Sequence, residues 1–201
     1  MSREPGLRQL KKERTTRAIM DTALELIRKQ GYEQTTVEEI VRRVEVSQPT
    51  FYNYFSSLDD VLRRLAGEIL EKWAREGEGE GDIPRLASTR DVLRAVAREM
   101  ADEISGERNL WKAIFLADAF NPARAPEQSE SRERASVFQQ RVLKRGRERG
   151  DIGKKFPLEF LGNMLDNIQF GICADWCLSD AEDSLRKRLD KGLDFFLKGA
   201  G

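Results

Sequence analysis

Apolar residues recur at three- and four-residue intervals along most of this chain, and no segment shows the strict apolar–polar alternation of a half-buried strand. Proline and glycine are scarce inside those stretches, so little interrupts a helical backbone over long runs. The expected fold class is therefore all-α, with about nine helices. The first is expected over about Glu13–Lys29, where Ile19, Met20, Ala23, Leu24 and Ile27 share a face and Gly31 supplies a stop. A short second helix should cover Val37–Val44. Thr36 followed by Glu39 forms a capping box there, the hydroxyl and the carboxylate satisfying reciprocal free amides.

A third helix begins after Ser47, a good N-cap, with Pro49 tolerated in its first turn and Phe51 and Phe55 facing inward together. Ser57 then caps a longer fourth helix striped by Leu58, Val61, Leu62, Leu65, Ile69 and Trp73. That helix is expected to dissolve into the acidic, glycine-rich run Glu76–Asp82, which reads as a linker. Beyond it, helices are predicted at Thr89–Ile104, Leu110–Phe120, Glu130–Arg149, Leu158–Leu178 and Ala181–Leu197, with a proline-bearing loop at Asn121–Ser129.

Composition removes several classes of chemistry. The 201 residues include no histidine, which excludes Ser-His-Asp and Cys-His catalysis and any histidine-containing metal site. Two cysteines, Cys173 and Cys177, lie four apart in a helical pattern and read as buried apolar thiols, not as a disulfide framework or a zinc site. No phosphate loop, metal cluster or cofactor fingerprint is present, so no cofactor is expected. No apolar run reaches the about 18 residues of a membrane span, and Met1–Lys12 lacks the apolar centre of a signal peptide; no membrane partner and a cytoplasmic location are expected. Net charge is zero, with 35 basic and 35 acidic residues, so bulk electrostatics do not point to nucleic acid.

Two short helices separated by Glu45-Val46-Ser47 have helix-turn-helix spacing, in which the second helix enters the DNA major groove and the first braces it across the backbone. The phrases Tyr32-Glu-Gln-Thr-Thr-Val-Glu-Glu-Ile40, Val46-Ser-Gln-Pro-Thr-Phe-Tyr-Asn-Tyr-Phe55 and Leu58-Asp-Asp-Val-Leu62 closely resemble the tetracycline-repressor (TetR) family of bacterial regulators. The resemblance is specific over Thr16–Leu65. It implies an N-terminal arm and helix-turn-helix DNA-binding domain over residues 1–56. A regulatory, ligand-binding and dimerisation domain would follow over 57–201, with 57–75 as the connecting helix.

In that frame Thr36, Ser47 and Thr50 offer hydroxyls and helix N-terminal amides to phosphate oxygens. Tyr52 and Tyr54 match positions whose rings pack on the DNA backbone. Gln48, Pro49, Thr50 and Asn53 project toward base edges, Gln and Asn suiting adenine, Pro and Thr suiting thymine methyls. Arg14 and Arg17 would add charge from a basic arm. Three departures stand out: Glu45 occupies the corner where the family usually has glycine, Leu58 stands where it commonly has lysine, and Glu33–Ser56 is acidic on balance. A salt dependence shallower than that of a lysine-rich relative follows.

The resemblance further implies double-stranded operator DNA as partner, a homodimer through the last two helices, and a small-molecule effector. For the dimer, Phe160, Leu161, Met164, Leu165, Ile168, Ile172 and Trp176 stripe one helix, and Leu185, Leu189, Leu193 and Phe196 the other. Gly162, Gly171 and Ala174 would permit close helix approach. The stripe is wider than one small core needs, which favours an isologous contact. For the effector, Trp111, Phe115, Phe138, Phe170 and Trp176 are the aromatic candidates, with Asn163, Asn167 and Gln169 as polar handles. Two other classes stay open at this point. One is a protein-interaction module of the same fold without DNA binding. The other is an all-helical enzyme using carboxylates such as Asp166 and Asp175, which sit nine residues apart and share no tight site.

Overall fold

A computed structural model of the chain describes residues 6–78, 88–119, 126–179 and 181–201. Within them run α1 (Leu7–Gln30), α2 (Val37–Val44), α3 (Gln48–Tyr52), α4 (Leu58–Glu78), α5 (Thr89–Gly106), α6 (Arg108–Ala119), α7 (Pro126–Arg149), α8 (Leu158–Leu178) and α9 (Leu185–Ala200), and no strand among the described residues. The helical periods thus translate into helices at the expected places.

Several ends shift, each for a local reason. α1 starts six residues before Glu13, because nothing between Gly6 and Glu13 breaks a helix; the expected basic arm is its first turns. α4 runs on into the first residues of the acidic stretch; the rest of that linker lies outside the described residues, as do the side chain of Trp73, residue Phe120 and 121–125 of the expected loop. α7 begins at Pro126, a residue suited to a first turn, where a loop to Ser129 is predicted. α9 begins at Leu185 and not at Ala181. Ser184 is its N-cap, while the carbonyls of Ala181 and Asp183 turn outward to accept from Arg108 and from Trp176 Nε1.

The first three helices and the start of α4 enclose one apolar cluster, built from Ile19, Met20, Ala23, Leu26, Ile40, Val41, Phe51, Phe55, Val61 and Leu65. Phe51 and Phe55 are buried side by side with ring centroids 5.7 Å apart. The later helices form two further clusters. One gathers Trp111, Phe115, Cys173, Trp176 and Leu189; the other gathers Val142, Leu143, Leu161, Leu165, Leu193 and Phe196. Ile27 of α1 and Leu62 of α4 pack into the first of these. The two halves of the chain are therefore joined by apolar contact as well as by the connecting helix.

Most of the proposed interface stripe is used inside the chain. Leu161, Leu165 and Trp176, with Leu185, Leu189, Leu193 and Phe196, are all buried among their own helices. Of the two α8 glycines expected at a helix contact, Gly162 accommodates Gln140 of α7, and a side chain at Gly171 would meet nothing. α8 and α9 approach closely at Gly192, where an added Cβ would press on Ile172 Cδ1 and stand 3.2 Å from Ile168 Cγ2. Sequence periodicity shows that a face is apolar; it does not show which neighbour covers it.

Candidate functional site

The α2–α3 corner follows from its caps. Thr36 Oγ1 accepts from Glu39 N at 3.2 Å, but the Glu39 carboxylate does not close the expected reciprocal box. It accepts from Gln30 Nε2 at 2.9 Å and Arg43 Nη2 at 3.1 Å, and the Gln30 bond above all holds it below the usual carboxylate range. At the far end of α2, Glu45 adopts φ 58°, ψ 42°, the left-handed conformation that glycine takes without strain. The following amide, Val46 N, then reaches back to Val41 O at 3.0 Å and closes the helix. Ser47 starts α3, its Oγ accepting from Thr50 N at 3.3 Å and lying 2.8 Å from Thr50 Oγ1.

With Phe51 and Phe55 anchored inward, the opposite side of α3 is left mostly to solvent. Ser47, Gln48, Pro49, Tyr52 and Asn53 are exposed, Tyr52 to 56%, and Thr50 and Tyr54 are half-buried. Tyr52 sits edge-on to Phe51 at 5.4 Å, so its ring is propped outward by the core. Gln48 Nε2 donates to Glu38 Oε1 at 3.0 Å, which tethers the recognition helix to α2. Glu38 is a positioning residue that sequence reasoning missed; the signal was present in its place in the first turn of the bracing helix. Thr36 is exposed at the N-terminus of α2, where free amides face outward. Gln48, Pro49, Tyr52 and Asn53 lie on the side of α3 turned away from Phe51.

The two arginines fare differently. Arg14 is exposed on α1. Arg17 is engaged by Asp21 and Glu68, each at 2.8 Å, and is not a free charge. Two further braces join the N-terminal unit to its neighbours. The Tyr32 hydroxyl donates to Asp59 on α4; burial first, then that bond, push the phenol up to about 12. Arg28 at the end of α1 grips both oxygens of Glu107 at 2.8 Å, between α5 and α6. Partners 27 and 79 residues apart leave no trace in local sequence pattern.

Of the candidate ligand residues, Trp111, Phe115 and Phe170 come together, with centroids 5.9 and 5.2 Å apart along the run. Phe138 packs with the other cluster, and Asn167 and Asn163 are exposed. Gln169 is the handle that faces inward. Trp176 is spoken for by the fold: its Nε1 donates to Asp183 O at 2.7 Å, and the Arg108 guanidinium lies 4.1 Å over its ring. Cys173 and Cys177 are buried, and desolvation pushes their thiols up to about 12 and about 11, so neither is a ready nucleophile. Asp175 is paired with Arg188 at 2.6 Å. Among the described residues no cluster of acidic and cysteine side chains fits a metal ion, and no helix is long and apolar enough to cross a membrane.

A capped bracing helix, a left-handed corner and a short helix with an outward polar face define a helix-turn-helix unit of the kind found in transcriptional regulators. Sequence comparison names the family. The sequence model of bacterial regulatory proteins, tetR family, matches residues 19–65, the span of the helix-turn-helix unit and the start of α4. It is 40% identical over 105 residues to the HTH-type transcriptional regulator TcmR of Streptomyces glaucescens, a match that takes in 51% of this chain and 46% of TcmR, about half the length of each. It is 23% identical to the uncharacterized HTH-type regulator YfiR of Bacillus subtilis over 96% of this chain and 95% of YfiR. Among solved structures, the Thermus thermophilus TetR-family repressor FadR, in complex with lauroyl-CoA, superposes with a TM-score of 0.69 at 27% identity, covering 92% of this chain and 94% of that one.

Proposed function

We propose that this chain is a ligand-responsive repressor that binds a palindromic operator as a dimer, reading bases with the outward face of α3. The observation that carries the reading is the exposure of Gln48, Pro49, Tyr52 and Asn53 on one side of a helix whose other side is locked by Phe51. Gln48 and Asn53 suit adenine edges, Pro49 and Thr50 suit thymine methyls, and Thr36, Ser47 and Tyr54 flank them toward phosphates. Arg14 extends this surface along α1; Arg17 would first have to leave Asp21 and Glu68. With Gln48 tethered by a carboxylate and few free cations at the corner, binding should lose affinity with salt less steeply than in a lysine-rich protein.

The dimer is supported by what remains uncovered after the chain has packed. Phe160, Met164, Phe170 and Leu178 of α8 and Phe195 of α9 are exposed, Phe195 to 74%. A two-fold contact through these helices would cover them and set two α3 helices toward successive major grooves, about 34–36 Å apart. An effector held in the later helices would act by shifting the population between arrangements that do and do not meet that spacing. The brace Arg28–Glu107 connects those helices to the DNA unit, and Tyr32–Asp59 fixes that unit on the connecting helix. Titration of the gene's own upstream DNA in a gel-shift assay tests the reading. Wild type should retard a fragment, and Tyr52→Ala/Asn53→Ala should weaken retardation at least about tenfold with an unchanged melting temperature. Equal retardation by both proteins would refute the assignment of α3 as the reading helix.

A further inference from the structure

Gln169 lies on the inner face of α8, only 6% exposed, between Leu165 and Cys173, four residues to either side. Leu165 belongs to the cluster with Val142 and Leu143, Cys173 to the one with Trp111 and Phe115, so the glutamine stands where two apolar cores meet. Its Oε1 accepts from Gln139 Nε2 of α7 at 2.8 Å. Among the described residues, Gln169 Nε2 and Gln139 Oε1 are both buried without a hydrogen-bond partner. One bond between two carboxamides always leaves one carbonyl and one NH2 over, whichever partner donates, so this does not depend on how the amides are oriented. Each unmet group keeps the full cost of leaving water, whereas an apolar pair of the same shape carries none of it. Packing alone does not account for two glutamines here.

We propose that Gln139 and Gln169 are the polar handle of the effector site, and that the effector is an uncharged molecule presenting a hydroxyl on an apolar body. The inference rests on the reading of the chain as a ligand-responsive regulator. A hydroxyl meets both leftover groups at once, its oxygen accepting from the NH2 and its proton going to the carbonyl. A carboxylate only accepts and would set its charge against the free carbonyl in an apolar interior. An ester or thioester carbonyl has no proton to give and leaves one group unmet. The rings of Trp111 and Phe115, buried in the cluster that Cys173 joins one turn along α8 from Gln169, offer an apolar wall for a flat body.

Matched probes with one body test this: 2-naphthol, 2-naphthoate and naphthalene, titrated calorimetrically into the full chain with melting temperature as a second readout. 2-Naphthol should bind at least about tenfold more tightly than either companion. Gln139→Leu/Gln169→Leu should erase that preference while holding or raising the melting temperature, since both unmet atoms are gone. If that variant does not fold, Gln139→Met/Gln169→Met, which removes both carboxamides with side chains of matching length, should erase the preference in its place. Naphthol binding no better than naphthalene, naphthoate binding best, or no binding of any probe overturns the proposal and leaves the pair to an ordered water. Retardation of upstream DNA, measured in parallel without probe, reads the regulator assignment separately. Its absence in wild type overturns that assignment, whereas retained retardation without a hydroxyl preference overturns the handle alone.

Discussion

The two halves of the molecule place their polar groups in opposite ways. In the N-terminal unit, the interior is Phe51, Phe55, Ile19, Leu26 and Ile40, and polar groups are spent on caps and on the outward side of α3. In the later helices, the outward side of α8 is apolar at Phe160, Met164 and Leu178, while unmet carboxamide atoms lie inside between α7 and α8. A surface made to meet a nucleic acid must be polar outside and rigid beneath. A surface made to meet another helix is apolar outside, and a site for a small molecule is polar within. In the proposed reading, one all-helical architecture would serve three kinds of partner according to which side of each helix is wet.

The largest effect that would break the comparison is loss of the N-terminal core. Phe51→Ala removes a fully buried ring and should cost about 3–5 kcal/mol, abolishing DNA retardation. Calorimetric unfolding reads the cost. If the variant loses less than about 1 kcal/mol, Phe51 is not the anchor that sets the α3 face outward. The double glutamine variant is the mirror image: removing interior polarity from the later helices should leave stability the same or higher.

A smaller effect sharpens the join between the halves. Tyr32→Phe deletes the bond to Asp59 and should cost about 1–2 kcal/mol near neutral pH. The phenol is raised from its ordinary 10.0 to about 12, and it is the neutral form that the fold favours. Its contribution is therefore complete below pH 10.0 and lost as pH rises toward about 12. Stability curves of wild type and Tyr32→Phe should converge over that alkaline window, and tyrosinate absorbance should show one of three tyrosines titrating late. Curves that coincide at every pH would mean that the hydroxyl contributes nothing.

The smallest effect tests the corner itself. Glu45→Gly relieves about 1 kcal/mol of left-handed strain and loses part of that to the greater freedom of glycine in the unfolded chain. A net gain of up to about 0.5 kcal/mol, seen as a rise of about 1–2 °C in melting temperature, is expected. A fall would show that the Glu45 side chain contributes more than its backbone costs.

Much of the N-terminal unit was legible from local pattern. Thr36 and Ser47 announce helix starts because their hydroxyls cap free amides, and Phe51 and Phe55 four apart announce a buried side, which leaves Gln48, Pro49, Tyr52 and Asn53 to face out. The left-handed Glu45 was legible only as a condition, since a corner without glycine can be built in more than one way. The early start of α1, and with it the capture of Arg17 by Asp21 and Glu68, was not legible. Helix starts without a side-chain cap carry no signature, and the Glu68 partner is 51 residues away.

In the later helices the apolar stripes were readable, but their partners were not. Leu161, Leu165, Leu189 and Leu193 are sequence-equivalent candidates for core or interface, and the packing of α8 and α9 on α5, α6 and α7 assigns them inward. The same packing turned Gln169 in and Asn167 out, though both are polar residues on one helix. Periodicity by itself determined that this chain is a set of amphipathic helices with a capped, two-helix corner near its start, because hydrogen bonding within a helix is local and its pattern repeats every 3.6 residues. Only the tertiary structure decided which stripes meet each other and which polar groups are left without partners inside, because burial depends on neighbours distant in sequence.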